Sequence, residues 1–499
     1  MEQELGSPIF AQGTEALWAF VAYLAMLVII GAYSARFSSS GIGEFFVGGR
    51  KMNRVVVALS AVVSGRSAWL LLGVTGMAWT MGASAIWAVA GYTVVEFFLF
   101  FYFAGRLRRF SEVHDCITLP DFFAARFGDE NGRLRMTLAL VILMFMVAYV
   151  SAQFAGGGKA IGASFGLDPT TGVIITAVIV LGYTMVGGFL AVSLTDTIQA
   201  FFMIGALVTL PLLAVHNSGG WGPVVDELLL LDATFLDPMA LSFGAFLGMA
   251  GIGLGSPGNP HILVRYMSID DPEQLRFAAW VGTFWNVVMG AGAVLIGVVG
   301  RVYFPEVSLL PAGDTENLYP VLAQQKLHPI LFGAVLASIF AAIMSTADSQ
   351  LLVAASSLVR DVYEKVLKKG VELPEGHLVR VSRGVVALLV LAALLLGIVA
   401  EQLVFWLVLF AWAGLGAALG PTMVLALYWR GTTREGIFAG LITGTLTTFV
   451  WYLTPVLKGA LYELIPAFFV SLLATVVVSR LTTPGETTEA GFEAMERRR

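Results

Sequence analysis

Two hydroxyls stand side by side in a long apolar run: Ser345 and Thr346, with Ala342 one turn earlier. A bare alkali cation is held by several oxygens that replace its water shell. Hydroxyls and free main-chain carbonyls supply them without excess charge, so the ion stays exchangeable. The same hydroxyls can instead bond back to the carbonyl one turn earlier, a common use of Ser and Thr in membrane helices. The residues alone leave both uses open. Three acids lie in apolar surroundings: Asp348, three residues past Ser345, Asp196, and Glu96 within GYTVVEFFLF. Intramembrane carboxylates are rare and usually functional. Asp196 lies near the expected cytoplasmic start of a span, so a solvated or helix-terminal role competes. One base, Arg66, falls in mid-span. An unpaired charge there costs about 3 kcal/mol on insertion scales. Arg66 is therefore expected to pair with Glu96 or Asp348, or to replace a bound cation; snorkelling to an interface is the alternative.

The elements that must position these groups are membrane helices. Of 499 residues, 58% are apolar and 13% charged, and mean hydropathy is +0.83. Soluble domains carry about 25% charged residues. This composition excludes a disulfide scaffold, a disordered chain and an ordinary cytosolic enzyme. The single cysteine, Cys116, excludes an intrachain disulfide and any multi-Cys metal site. A net charge of −5, with no basic block longer than three residues, makes nucleic acid an unexpected partner. The first twelve residues, MEQELGSPIFAQ, are acidic and unlike a cleavable leader. Runs long enough to cross a bilayer, about 20 apolar residues each, fall at 14–36, 54–81, 84–105, 136–162, 170–190, 193–214, 240–264, 275–300, 328–358, 379–399, 404–429, 434–455 and 462–481. The split between 170–190 and 193–214 has the shortest joint. With the N-terminus outside and the C-terminus inside, 24 of 29 basic residues fall in cytoplasmic segments and only Lys159, Arg301, Lys326 and Lys458 face outside. This orientation places the chain in a cell or inner membrane. No polar segment reaches domain size and no GxxxxGK[ST] motif occurs, so no ATP-driven step is expected of this sequence.

Two spans are interrupted in mid-depth. The second reads Leu59-Ser-Ala-Val-Val-Ser-Gly-Arg-Ser-Ala-Trp69, and the seventh carries four Gly and two Pro in Gly251–Pro260. Such stretches do not continue a helix, and unwound backbone at this depth is tolerated where it lines a cavity. The breaks are five spans apart. Paired breaks opening two sets of five helices are the pattern of inverted-repeat transporters, which bind their cargo at mid-membrane. The expected fold is an all-α integral membrane protein of about 13 transmembrane helices, with a five-plus-five inverted-repeat core and broken second and seventh helices. Within one polytopic domain, 1–499, residues 14–36 form an extra first helix, 54–214 and 240–429 the repeats, 434–481 two further helices and 482–499 a cytoplasmic tail.

The chain resembles the sodium/solute symporter family, the bacterial sodium/proline symporters above all, from about 14 to 480. The resemblance is carried by FFVGGR (45–50), SAWLLLG (67–73), AGRLRRF (104–110), TLPDFFAARF (118–127), GGFLAVSLTDTIQA (187–200), GNPHILVRYM (258–267) and AAIMSTADSQLL (341–352). It implies that Ser345 and Thr346 bind sodium through their hydroxyls, with carbonyls of Val63, Arg66 and Ala342 completing the shell. It also implies that Asp196, with Asp348 beside the site, acts in cation coupling and release. The solute pocket it implies involves Ser67, Ala68, Trp69, Tyr149, Ile252, Ser256 and Pro260. The sequence departs from proline symporters in having Gly65 and Arg66 where they carry an acid and a methionine. Ile252 and Ser256 stand where they carry Trp and Tyr, so a wider or differently shaped pocket is expected. Glu96 has no acidic counterpart there.

The expected function is cation-coupled symport, by alternating access, of a small organic solute, an amino acid such as proline or a related zwitterion. Its carboxylate is expected to meet free amides of the span-two break. The expected partners are that solute, sodium as coupling ion and the bilayer, with no other cofactor. Two alternatives stand beside it: a sodium-independent or proton-coupled transporter in which Arg66 replaces the ion, and a transporter-like solute sensor. An enzyme is not expected, since no HExxH motif occurs and the five histidines read as loop or span-end residues.

Overall fold

The computed structural model describes residues 14–34, 41–399 and 403–496. The acidic N-terminal segment, residues 35 and 36 of the first expected span and the last three residues of the tail lie outside the described residues. Among those described, the chain is helical, with one isolated β-bridge between Met52 and Ile269. Ten helices are long and apolar enough to cross a membrane. All thirteen expected runs fall on helix, but three do not form a separate long one: 54–81 is interrupted and its second half runs on into 84–105, 240–264 is broken, and Pro169–Met185 is short.

The elements that frame the site, in chain order, are α1 (Glu15–Ser34), α2 (Arg54–Ser64), α3 (Ile86–Phe98), α4 (Arg133–Phe165), α5 (Pro169–Asn217), α6 (Pro260–Ser268), α7 (Leu275–Tyr303), α8 (Pro329–Ser356), α9 (Glu375–Ile398), α10 (Val404–Tyr428), α11 (Arg434–Leu453), α12 (Leu464–Leu481) and α13 (Glu486–Glu496). Their starts are chemically marked. Asn53 caps α2 by accepting from the Val55 and Val56 amides, both at 3.0 Å. Asp168 caps α5 ahead of Pro169, which needs no amide partner. The uncertain joint in α5 is one helical run broken at Gly188, whose φ of 58° favours glycine.

Helices α8 and α10 are the centre. In each, 83% of the most apolar window is buried inside the protein, against 28% in α1 and α12. The peripheral helices turn apolar side chains outward, as Leu388, Leu391 and Leu395 of α9 and Leu446 and Val450 of α11 do. Such a belt suits a hydrocarbon solvent rather than water. Against α8 pack α5, α4 and α1; against α10 pack α4, α11, α12 and the irregular 251–258 segment. π-helical turns interrupt the regular helix at Trp69–Val74, Leu99–Phe103 and Ser357–Leu367. The tail helix α13 folds back on Ala104–Val113 and Leu119–Phe127, burying Phe492 and Met495. Arg126, from that second helix, is buried and donates to the carbonyls of Ala426 and Thr488.

Candidate functional site

Helix α2 ends at Ser64, and the chain turns through Gly65 and Arg66 before helix resumes at Ser67. Ser67 sits in the left-handed region, with φ of 38°. A side chain held there is strained, and such strain concentrates at functional positions. Helix α8 crosses this break. The Ser345 hydroxyl lies 3.3 Å from the Val63 carbonyl and 3.2 Å from that of Ala342. The Thr346 hydroxyl lies 3.5 Å from the same Val63 oxygen. Four oxygens from two elements thus converge in a buried place, and the Val63 oxygen belongs to the other helix rather than to the preceding turn of α8. The Arg66 carbonyl accepts from the Leu70 amide at 3.0 Å, so it already serves the continuing helix.

The Arg66 side chain turns to Glu96 of α3. Both residues are buried, at 1% and 2% exposure. Glu96 also accepts from Asn286 of α7 at 2.9 Å and from Ser256 at 3.4 Å. The guanidinium stacks on Tyr92, 3.6 Å from the ring centre. Arg66 therefore does not snorkel, and its partner is Glu96 rather than Asp348.

Beside it lies a cavity of only about 10 Å³, room for about one water molecule, lined by Gly65, Arg66, Trp69, Tyr92, Tyr149, Ile252, Val408, Leu409 and Trp412. Of the expected pocket residues, Trp69, Tyr149 and Ile252 line it. Ser67, Ala68 and Pro260 do not, and Ser256 serves Glu96 instead. The expected widening is absent because α10 supplies a ring: Trp412 donates to the Ile252 carbonyl at 2.8 Å and lies against Gly255. A Cβ at Gly255 would stand 2.0 Å from that indole nitrogen, so only glycine admits it. Most of the break amides are not free either. Those of Gly65 and Arg66 donate to Val62 and Val63, that of Ala68 to Gln153 and that of Trp69 to the Ser67 hydroxyl.

A chain with two broken helices, a hydroxyl–carbonyl cluster at one break and a buried pocket beside it has relatives. The profile of the Sodium:solute symporter family matches residues 45–444. The chain belongs to this family. It is 37% identical over 486 residues to the sodium/proline symporters of Staphylococcus aureus strains JH9 and JH1, covering 95% of this chain and 94% of theirs. Its fold is that of a substrate-bound, outward-open Na+-coupled sialic acid symporter, with a TM-score of 0.80 at 17% identity over 95% of this chain and 99% of that one. It is also similar to a nucleobase-cation-symport-1 family transporter in a closed conformation, with a TM-score of 0.54 at 14% identity, over 90% of this chain and 98% of that one. The family makes this a multi-pass membrane transporter coupled to sodium, and points away from an enzyme.

The symporter's acids occupy a second buried network that the residues did not announce. Asp196 is fully buried, not solvated, and accepts from Ser60 at 2.6 Å and from Arg265 of α6 at 3.3 Å. Arg265 also reaches Ser349 of α8, Ser60 and the His261 carbonyl. Ser349 in turn donates to the Ser345 carbonyl at 2.6 Å and faces Asp348 at 3.2 Å. One guanidinium therefore ties α2, α5, α6 and α8 together one turn from the hydroxyl pair. Arg265 was counted among the cytoplasmic bases, yet it is 1% exposed. His261, read as a span-end residue, is buried against Tyr149. At the other side of the pocket Trp69 stacks on Phe405. The start of α10 there is held by Glu316, which accepts from the Val404 and Phe405 amides at 2.9 and 2.8 Å and pairs with Lys159 at 2.6 Å.

Proposed function

We propose that this chain carries out sodium-driven symport of a small organic solute by alternating access, with Val63, Ala342, Ser345 and Thr346 holding the ion. The observation that carries this reading is the meeting of two α8 hydroxyls with a carbonyl of the broken second helix. A cation held there bridges the two elements, so its binding and departure act on their relative position. Arg66 contributes through its main chain at most, because its guanidinium is committed to Glu96; this favours sodium over a reading in which the side chain replaces it. Asp196 and Asp348 act with Arg265 in coupling and release: as the ion leaves, Ser349 and Arg265 are the groups next to the vacated carbonyls. The solute sits among Trp69, Tyr149 and Ile252, with Ser67, Ala68, Ser256 and Pro260 shaping the two breaks around it. The similarity to sodium/proline symporters supports a solute of amino-acid size, proline or a related zwitterion. We take residues 54–214 and 240–429 as the two inverted repeats, and the basic-residue bias supports an outside N-terminus and a cytoplasmic C-terminus.

The test is uptake into proteoliposomes with and without an inward sodium gradient, across a panel of amino acids and small carboxylates. Uptake indifferent to sodium would refute the coupling. A solute that binds but never accumulates would favour the sensor.

A further inference from the structure

Three buried side-chain groups of the cavity lining have no hydrogen-bond partner: Arg66 Nε, Trp69 Nε1 and the Tyr92 hydroxyl, and all three can donate. The two nitrogens are donors only, whereas the Tyr92 hydroxyl can also accept. The carbonyl and carboxylate acceptors nearby are already taken. The Ile252 carbonyl receives Trp412, and the Leu409 carbonyl receives the Tyr462 hydroxyl at 2.7 Å. Glu96 is absent from the lining, and its two oxygens are occupied by Arg66, Ser256 and Asn286. Ile252, Val408 and Leu409 make the rest of the lining apolar, with the rings of Tyr149 and Trp412 beside them.

A solute ammonium placed here would lie beside a guanidinium, with the neutral Tyr92 hydroxyl as its one free side-chain acceptor among the described lining residues. A carboxylate would find a cation and unused N–H groups. The amides of the second-helix break, the other source of donors for an anion, are mostly spent within the protein. We propose that the pocket recognises its solute by a carboxylate held by Arg66 and Trp69, that it takes a compact apolar carboxylate, and that it needs no ammonium. Glu96, Asn286 and Ser256 are positioning residues: they fix the guanidinium through its Nη2 and leave Nε–H for the ligand. This rests on the symport reading for the pocket's role, but its test is a binding measurement that does not depend on transport.

The experiment titrates the full-length protein in nanodiscs, in saturating sodium, and follows tryptophan fluorescence, since Trp69 and Trp412 line the cavity. The probes are L-proline, cyclopentanecarboxylate, L-prolinamide and pyrrolidine, then butyrate and isovalerate. Cyclopentanecarboxylate is expected to bind at least as tightly as proline. Prolinamide and pyrrolidine, which lack the carboxylate, are expected to bind at least about tenfold more weakly, the effect of losing one hydrogen bond to a charged group. Cyclopentanecarboxylate binding more than about tenfold below proline, or prolinamide matching proline, would overturn the proposal. So would a lack of response to every carboxylate. Arg66→Gln combined with Glu96→Gln removes both charges together; it should weaken every carboxylate about tenfold or more, and unchanged affinity would count against the proposal. If that variant does not fold, Trp69→Phe, which deletes only the indole N–H from a ring still stacked on Phe405, must weaken the carboxylates selectively. Sodium-driven uptake of the bound carboxylate is measured separately. Its absence would sink the symport reading while leaving the recognition intact.

Discussion

Replacing Glu96 by Gln should damage this protein more than its size suggests. The change keeps the shape and one acceptor oxygen, but it removes the negative charge facing Arg66. Both partners are buried, at 1% and 2% exposure, so the guanidinium would be left without a counter-ion or water. The new amide can still bond Asn286, whose unpartnered Oδ1 can turn to accept from it, so the cost lies in the lost charge. Breaking a buried pair from one side costs about 3–5 kcal/mol. Replacing both members by neutral groups is often neutral or stabilising by about 1–4 kcal/mol. The expected order of thermal stability is therefore wild type close to Arg66→Met/Glu96→Gln, with Glu96→Gln well below both. Unfolding of the four corners of this double-mutant cycle, read by tryptophan fluorescence at matched lipid and salt, isolates the coupling. Wild-type stability in Glu96→Gln alone, or a double variant weaker than the single one, would refute the argument, because either result requires that Arg66 does not depend on Glu96.

Other perturbations address the remaining groups. Ser345→Ala and Thr346→Ala should each raise the sodium concentration for half-maximal uptake about tenfold, the loss of one favourable oxygen contact, with folded protein retained; wild-type sodium curves for both would remove the ion from this place. Arg265→Gln should loosen the tie between α2, α5, α6 and α8, so a reporter made by Ser64→Cys should react faster with a thiol reagent in that background than in wild type. Glu316→Ala strips two amides of their acceptor and leaves Lys159 with Asp314 as its partner, and should lower thermal stability by about 1–3 kcal/mol. Burial pushes the Cys116 thiol up from its ordinary range, with Asp121 adding to it. The thiolate is thus scarce at mildly alkaline pH, and Cys116 should resist maleimide in the folded protein while reacting on unfolding.

Much of the scaffold was legible because membrane helices are written in composition. The seventh-span break showed as Gly and Pro where a helix cannot continue, the second-span break as Ser64-Gly65-Arg66-Ser67 inside an apolar run, and the hydroxyl pair as polarity where lipid would permit none. Other features carry no such mark. Arg265 follows a helix start by five residues, which reads as a cytoplasmic base; only the approach of α5 and α8 makes it a buried tie. Trp412 lies in an apolar run where a ring facing lipid and a ring filling a pocket look alike. Gly188 was one glycine of an adjacent pair, and nothing local told which would bend. Asn286 and Gln153 serve partners far away in sequence, at Glu96 and Ala68, and single polar residues in helices are too common to single out.

The π turn at Trp69–Val74 has a mechanical consequence. Such a turn is an α-helix with one residue to spare. Passing that spare residue along the helix turns each portion it crosses by one position, roughly 100° about the axis, without a net loss of length or of the chain's hydrogen bonding. The half-helix Thr75–Met81 beyond it can therefore roll in a small ratchet step while Trp69 stays stacked on Phe405. A rocking transporter needs hinges that are neither loops nor rigid rods, and a travelling surplus residue is one way to build a hinge inside a helix.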